Sequence, residues 1–498
     1  MVFTTQFFLF AFFPLCVLAL AVDRLLGRFA VWRRARLGDW MAVGLSLAFY
    51  AWAFFWGAFW LWGYVLLVWA AARLLQAARG WRLALPLRRE EDGRWLGVSL
   101  RAVLFAVFTG AAVLCLARYK YLDFALGVWN RLSGGNAAAP ALTVPLGLSF
   151  LTFSAVSYLA DVYRGDAPAG SLLDCALYLS FFPKVVSGPI VLWRDFQPQI
   201  AGRRAGLDDV CAGLERIALG FAKKLILADM FGACVSEIDY AAARYGVDVP
   251  TAWLAVLLYM LQIYYDFAGY SDIALGLGRL FGFRFKENFN FPYRSRSVTE
   301  FWRRWHISLG AWFREYVYIP LGGSRGGLRR TLWNLAVVFA LTGVWHGAGW
   351  NYILWGGING ACVLLERLVR DRAWYRKLPD GLKWAGTMFT AFCFWELFRF
   401  QSLGALWNWV KIMLGLRRFE FIMLSWRWFL DARLAVLIAV GVLGAAAPGL
   451  DWLRTARERL AARPWGLALQ EAALLALFVL SVLCMVNSSY HPFIYFQY

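Results

Sequence analysis

Two histidines that each follow a tryptophan are the residues best suited to chemistry in this 498-residue chain. His306 follows Trp305, and His346 follows Trp345; the third of the 3 histidines, His491, lies near the C-terminus. Because histidine titrates near neutral pH, the two matched positions suit proton transfer to or from a substrate. On spacing alone, ordinary buried hydrogen-bonding histidines stay an equal alternative.

Other kinds of catalytic site lack their residues in this sequence. The 8 cysteines are scattered singly, and no third ligand with metal spacing accompanies the histidines, so we predict neither a zinc site nor disulfides. The GxSxG turn of serine hydrolases is also absent from the sequence. A general base that takes a proton from a hydroxyl attacking an acyl thioester would need one well-placed histidine, and His346 is a candidate for that role. A buried imidazole stays neutral, the form that a base requires.

The elements that position these histidines are membrane helices. Hydrophobic residues make up 61% of the chain, whereas soluble domains contain about 45–50%. Apolar runs long enough to cross a hydrocarbon core of ~30 Å recur along the chain. The sequence predicts an all-α polytopic membrane protein with about eleven to thirteen transmembrane or re-entrant helices. We expect a single membrane-embedded domain over residues 1–498.

The net charge of +20 arises from short clusters of Lys and Arg between the apolar runs. This distribution is typical of cytoplasmic loops that obey the positive-inside rule, and it favours contact with a lipid bilayer over nucleic-acid binding. Basic residues flank the apolar stretch 41–72 on both sides, which requires an even number of crossings. We expect two short helices there, or a re-entrant hairpin that turns near Trp56–Gly57.

Several segments around the histidines depart from simple spans. Residues 141–160 and 172–193 contain proline and glycine, and broken helices at membrane depth indicate a cavity. The tryptophans and other apolar residues of 301–320 recur at helical spacing, so we expect one amphipathic helix that carries His306. His346 falls at the glycine-lined junction after the apolar segment 331–346.

A series of longer motifs surrounds the histidines and covers residues 140–360 densely. They are LSFFPK (179–184), YYDFAGYSDIA (264–274), ENFNFPY (287–293), FWRRWHISL (301–309), YIPLGG (318–323) and VWHGA (344–348). Several motifs in this order resemble the membrane-bound O-acyltransferase family, and in particular its bacterial polysaccharide O-acetylation subgroup. The aromatic C-terminal tail, residues 490–498, resembles the end of the same subgroup.

The resemblance implies a fold and a reaction. Helices would surround a central tunnel in the bacterial inner (cytoplasmic) membrane, with His346 as the general base and His306 on the cytoplasmic side. No cofactor would be bound, and acetyl-CoA, or a carrier-protein thioester, would serve as the donor substrate. A periplasmic or membrane-anchored acetyltransferase would receive the acetyl group and modify an alginate-, cellulose- or peptidoglycan-type polymer. Relatives often carry a further histidine where this chain has Asn359, which can hydrogen-bond but not shuttle protons.

The remaining candidate residues each have a plain structural alternative. Candidates for binding the donor or substrate are Arg303, Arg304, Asp266, Asp272 and Asn290. The arginines suit coenzyme A phosphates but also snorkel to the interface, and intramembrane aspartates also pair with Arg or backbone to hold a broken helix. The phenol of Tyr495 is either an acyl relay or an interfacial anchor.

Two other classes of protein remain alternatives at this point. A polysaccharide-precursor transporter or flippase is expected to show internal repeats, and we find none in the sequence. A non-catalytic scaffold for a periplasmic acetyltransferase would not need the paired Trp-His motifs.

Overall fold

The computed structural model describes residues 3–89, 95–138, 140, 142–417, 419 and 424–487. These residues are largely helical, which confirms the all-α prediction. One antiparallel hairpin departs from it, formed by β1 (Arg82–Arg89) and β2 (Trp95–Ser99), with Arg82 opposite Ser99. The C-terminal tail, with His491 and Tyr495, lies outside the described residues.

The helices of the first half of the chain are short or broken at several points. They are α1 (Phe8–Leu26, π-helical over Phe8–Phe12), α2 (Ala30–Arg34), α3 (Leu37–Ala53), α4 (Phe55–Ala77), α5 (Leu100–Lys120), α6 (Leu122–Ser133), α7 (Leu148–Arg164), α8 (Leu172–Ser180), α9 (Phe182–Val185), α10 (Trp193–Ile200), α11 (Leu207–Phe221) and α12 (Asp229–Arg244), with a π-helical turn Ala222–Ala228 before α12.

The second half contains the histidines. Its helices are α13 (Val249–Leu280), α14 (Val298–Arg304), α15 (Ile307–Phe313), α16 (Gly327–His346), α17 (Trp350–Val369), α18 (Ala373–Lys377), α19 (Asp380–Arg399), α20 (Leu403–Met413), α21 (Trp426–Phe429), α22 (Ala432–Ala446), α23 (Asp451–Ala461) and α24 (Pro464–Asn487); short 3-10 or π turns cover Pro292–Arg294, Arg314–Tyr318 and Ala447–Gly449.

Within the described residues, 6 helices are long and apolar enough to cross a membrane, or 7 if the bent pair α22–α23 is one span. The six are α1, α4, α5, α13, α17 and α24. This confirms a multi-pass membrane protein. The predicted eleven to thirteen segments also counted short and broken ones, and of the two segments expected to be broken, only 172–193 is interrupted, since Pro145 and Gly147 precede the continuous α7. Residues 172–193 form the 9-residue α8 and the 4-residue α9.

Residues 41–72 belong to two helices, as one of the two alternatives predicts. α3 has 17 residues and α4 has 23, and Phe54 separates them in an extended conformation with φ −156°. The break lies two residues before the Trp56 expected for the hairpin, and the helices extend beyond the apolar stretch at both outer ends. Their added length removes the difficulty of fitting two helices into 32 apolar residues.

The chain packs as two compact units, Met1–Gly213 with Leu277–Lys286, and Leu214–Gly276 with Glu287–Tyr498. The first unit has a core of aromatic side chains: the ring of Phe182 lies 5.3 Å from that of Phe12 and 5.5 Å from that of Phe49. Lys184 is buried in the same unit, where its ammonium donates to Ser154 and lies 4.2 Å from the Tyr178 ring centroid. The prediction of a single membrane domain remains untested.

The second unit contains both Trp-His motifs and most of α13. The apolar window of α13 is 83% buried, which explains why its sequence is hydrophobic on all sides rather than along one stripe. α16 and α17 form a helical hairpin in this unit, joined by Gly347-Ala348-Gly349. These helices supply the positions around both histidines.

Candidate active site

His306 lies at a break between two helices, so the prediction of one amphipathic helix over 301–320 is wrong. α14 ends at Arg304, and His306 takes a left-handed conformation with φ 47° and ψ 53° before α15 begins. Two backbone bonds to a neighbouring segment hold this bend: the Asn290 N–H donates to Arg304 O and the Ile307 N–H donates to Asn288 O, both at 2.9 Å. A left-handed non-glycine residue costs about 1–3 kcal/mol and is often found at functional sites.

Asn288 holds the His306 side chain, a role that the sequence did not predict. Its side-chain oxygen accepts from the Ser308 hydroxyl at 2.8 Å and lies 3.1 Å from Nδ1 of His306. Its amide nitrogen donates to the Ser271 hydroxyl at 3.1 Å. The predicted Asn290 is instead exposed. Regular alternation would place residues 288 and 290 on the same side of an extended segment, but the chain bends at both residues, so the sequence pattern does not tell which of the two is buried.

His306 is 3% exposed, with the edge of the Phe267 ring against it at a centroid distance of 4.7 Å. Burial among these rings lowers the pKa of His306 to about 3. Removing an imidazolium from water is unfavourable, so the side chain is neutral across the physiological pH range.

His346 is the last residue of α16, directly before the glycine-lined junction, as predicted. Its side chain is 5% exposed and packs among aromatic rings. The ring centroids of Trp345 and Trp355 lie 4.8 Å away, and that of Phe398 lies 5.3 Å away. The junction therefore presents an imidazole in a dry, aromatic environment.

The structure brings the two Trp-His motifs together. The His306 and Trp345 ring centroids are 6.3 Å apart, and Trp345 also packs on His346. Trp345 therefore links the two histidines. Further tryptophans continue the contact: Trp302 packs on Trp355 at 5.5 Å, and Trp305 packs on Trp395 at 4.5 Å. We call Trp302, Trp305, Trp345, Trp355 and Trp395 the tryptophan cluster.

Three members of this cluster have buried indole N–H groups with no hydrogen-bond acceptor among the described residues: Trp302, Trp355 and Trp395. A buried donor without an acceptor costs about 1–3 kcal/mol. Asn359 is fully buried and donates to the backbone oxygen of Trp355 at 2.7 Å. Trp355, whose ring packs on His346, thus offers a neutral donor of the kind that matches a carbonyl oxygen.

The predicted aspartates are both in ion pairs. Asp266 lies 2.6 Å from the ammonium of Lys224, which also contacts Asp229 at 2.6 Å. Asp272 pairs with Arg216 at 2.7 Å and with Lys223 at 2.6 Å. Both aspartates lie in α13, which is continuous, so they do not hold a broken helix. The pairing itself was one of the two alternatives in the sequence.

The remaining predicted residues lie apart from the histidine side chains or outside the described chain. Arg303 is exposed. Arg304 pairs with Glu300 at 2.8 Å and donates to the backbone oxygen of Asn290 at 3.1 Å. Tyr495 lies outside the described residues. In the part of the chain that the structure describes, no group of three His, Cys, Asp or Glu side chains is placed to hold a metal ion.

Known proteins resemble this chain, one of them over its full length. The sequence model of the membrane-bound O-acyltransferase family matches residues 48–392, a region that includes both Trp-His motifs. A protein of Pseudomonas putida named probable alginate O-acetylase is 34% identical over 100% of both chains. A peptidoglycan O-acetyltransferase of Helicobacter pylori is 33% identical over 61% of this chain and 63% of its own. A teichoic acid D-alanyltransferase of Streptococcus thermophilus is 34% identical over 47% of this chain and 58% of its own.

Proposed function

The chain belongs to the membrane-bound O-acyltransferase family, and we propose that it moves acetyl groups from cytosolic acetyl-CoA across the bacterial inner membrane. A periplasmic or membrane-anchored acetyltransferase receives the acetyl group and O-acetylates an extracytoplasmic polysaccharide. Relatives named for alginate and peptidoglycan acetylation support the acetyl group and the polymer class.

The observation that carries this proposal is the contact of both histidines with Trp345 in one buried cluster. A general base must be desolvated and close to the reacting hydroxyl. The aromatic rings around His346 exclude water, and the neutral imidazole has a lone pair for a proton. A transport or scaffold protein has no need for two buried histidines joined in this way.

The residues suit acyl transfer from a thioester. The acceptor hydroxyl attacks the thioester carbon while His346 takes its proton; a C–O bond forms and the C–S bond breaks. The leaving thiolate takes the proton from the imidazolium, which releases the free thiol of coenzyme A and restores neutral His346. The indole N–H groups of Trp302, Trp355 and Trp395 are suited to donate to the carbonyl oxygen as negative charge develops on it.

Other residues extend the proposal toward the donor and the acceptor. Arg303 and Arg304 bind the phosphates of coenzyme A, since arginine forms bidentate contacts with phosphate. Donor or substrate binding is supported indirectly by three further residues. Asp266 and Asp272 join α13 to the segment that carries Arg216, Lys223 and Lys224, and Asn290 bonds to the backbone of Arg304. Tyr495 receives the acetyl group as a relay at the end of the chain.

The test uses the purified full chain in vesicles with acetyl-CoA labelled on the acetyl group. We expect thioester turnover in the wild type and a loss of about 10²–10⁴-fold in His346→Ala, the range that general acid–base catalysis supplies. Thermal unfolding and gel filtration show whether the variant is folded. Unchanged turnover in folded His346→Ala would remove His346 as the base, and acetylation unchanged in Tyr495→Phe would remove the relay.

A further inference from the structure

The orientation of the Asn288 side-chain amide is determined by a backbone group. The Ser308 N–H lies 3.3 Å from the side-chain oxygen of Asn288, and a backbone N–H can only donate. The oxygen must therefore face Ser308, and the amide nitrogen faces the Ser271 hydroxyl. The reverse orientation would place the amide NH₂ of Asn288 against the Ser308 N–H, so that two donors would face each other.

The same oxygen determines the protonation of His306. It lies 3.1 Å from Nδ1, and an amide oxygen can only accept. In a neutral imidazole one nitrogen carries the proton and the other accepts, and the partner of one nitrogen decides which. Nδ1 therefore carries the proton, and Nε2 has the lone pair.

We infer that Asn288 is a positioning residue that holds His306 in the Nδ1–H tautomer, so that Nε2 acts as an acceptor of a proton or a hydrogen bond. His306 thus cannot donate to a carbonyl oxygen in its neutral form. The group that it meets on a substrate must carry a hydrogen, such as a hydroxyl, a thiol or an amide N–H. The relevance of this tautomer to turnover rests on the proposed function.

The contacts of Asn288 make it a rigid holder. It is 1% exposed, and its side chain joins α13 through Ser271 to α15 through Ser308. Its backbone oxygen also accepts from Ile307, next to the left-handed His306. Asn288 therefore orients the His306 ring and also supplies one of the two backbone bonds that hold the bend.

The neutral amide also leaves the charge of His306 unchanged, whereas a carboxylate would favour imidazolium. The charged groups on the elements packed around His306 are Asp266, Asp272 and Arg279 on α13, Lys286 and Glu287 before Asn288, Glu300, Arg303 and Arg304 on α14, and Arg329 and Arg330 on α16. The other titratable groups on these elements are Tyr259, Tyr264, Tyr265 and Tyr270 on α13 and His346 on α16. The carboxylates of α13 and of Glu287 are already paired. Asp266 pairs with Lys224, Asp272 pairs with Arg216 and Lys223, and Glu287 pairs with Arg216. A carboxylate at position 288 would be a new and direct charge partner.

The tautomer is measured directly by nitrogen NMR of the full chain labelled with ¹⁵N-histidine. With 3 histidines in the chain, the His306→Gln variant identifies the His306 signals. We expect the Nδ1–H pattern in the wild type and a shift toward the Nε2–H pattern in Asn288→Ala. An Nε2–H pattern in the wild type would overturn the inference. This readout does not need turnover, so it stands even if the proposed reaction fails.

The second arm is the pH profile of thioester turnover in Asn288→Asp. The carboxylate still accepts from Nδ1 but raises the pKa of His306, so we expect activity near that of the wild type at high pH. The acidic limb should move to higher pH by about one unit or more. Asn408→Asp, a charge change at an exposed asparagine of the second unit, should leave the profile unmoved. An equal loss at every pH in folded Asn288→Asp would mean that Asn288 only supports the fold.

Discussion

At the scale of residues, one buried ammonium faces two carboxylates in the second unit. Lys224 is 2% exposed and contacts Asp229 and Asp266 at 2.6 Å each. Two buried carboxylates repel each other unless a cation lies between them, and breaking a buried pair is far more harmful than neutralising it. Lys224 contacts both carboxylates, so its loss should have a larger effect than the loss of either aspartate.

We expect Lys224→Met to destabilise the protein by about 3–5 kcal/mol, because it removes the buried ammonium that both carboxylates contact. Asp266→Asn leaves one balanced ion pair and should have a much smaller effect. Thermal unfolding in detergent measures both variants. The triple variant Lys224→Met with Asp229→Asn and Asp266→Asn should recover most of the loss; if Lys224→Met were as stable as the wild type, the cluster would not be a buried ion pair.

At the scale of elements, α16 and α17 approach so closely that their backbones touch. A Cβ atom added at Gly343 would lie 2.6 Å from the backbone oxygen of Tyr352, and one added at Gly356 would lie 2.7 Å from that of Phe339. The two glycines face each other at the crossing. His346 is three residues beyond Gly343 on the same helix, so the crossing positions the imidazole.

We expect Gly356→Ala to force α16 and α17 apart, with a destabilisation of about 1–3 kcal/mol from overpacking. Thioester turnover should fall with it, since His346 would move. The matched control is Gly357→Ala in the same helix, where an added Cβ meets no atom within 4 Å. That variant should be unchanged or up to about 1 kcal/mol more stable, because alanine favours a helix more than glycine does. Equal effects of the two changes would argue against close backbone packing.

At the scale of the molecule, contacts within the first unit bring separate basic loops to one end of it. Arg36 pairs with Asp174 at 2.6 Å, and Arg203 pairs with Asp39 at 2.5 Å. Gln76, at the end of α4, accepts from the Ala169 N–H at 2.9 Å. The start of α3 and the end of α4 thus lie on the same side of the unit, as an even number of crossings requires. By the positive-inside rule, the basic loops predict that this side is cytoplasmic.

A topology prediction follows from this arrangement. Fusions of a fluorescent cytoplasmic reporter after residue 36 and after residue 80 should both be active, because both positions lie in basic loops at that end of the unit. A periplasmic phosphatase reporter at the same sites should be inactive, with the reverse result near Phe54, between α3 and α4. Opposite results at positions 36 and 80 would contradict the paired arrangement of α3 and α4.

Much of the site was predictable because it depends on residue type and hydrophobic pattern. The bilayer requires long apolar runs, so hydropathy alone determined the class of protein. The sequence also identified both Trp-His motifs, the junction at His346 and the pairing of the intramembrane aspartates as an alternative. These properties are local, or they follow from the solvent that surrounds each segment.

Other properties depend on what approaches from elsewhere in the chain, and only the tertiary structure decided them. Helical periodicity extends through 301–320, but backbone bonds from residues 288 and 290 stop the helix at His306. The buried asparagine proved to be Asn288 rather than Asn290, because the chain bends at both residues and only the Asn288 side chain reaches Ser271 of α13. Trp345 joins the two histidines for the same reason: a contact between distant residues is set by the packing of helices, which the local sequence does not encode.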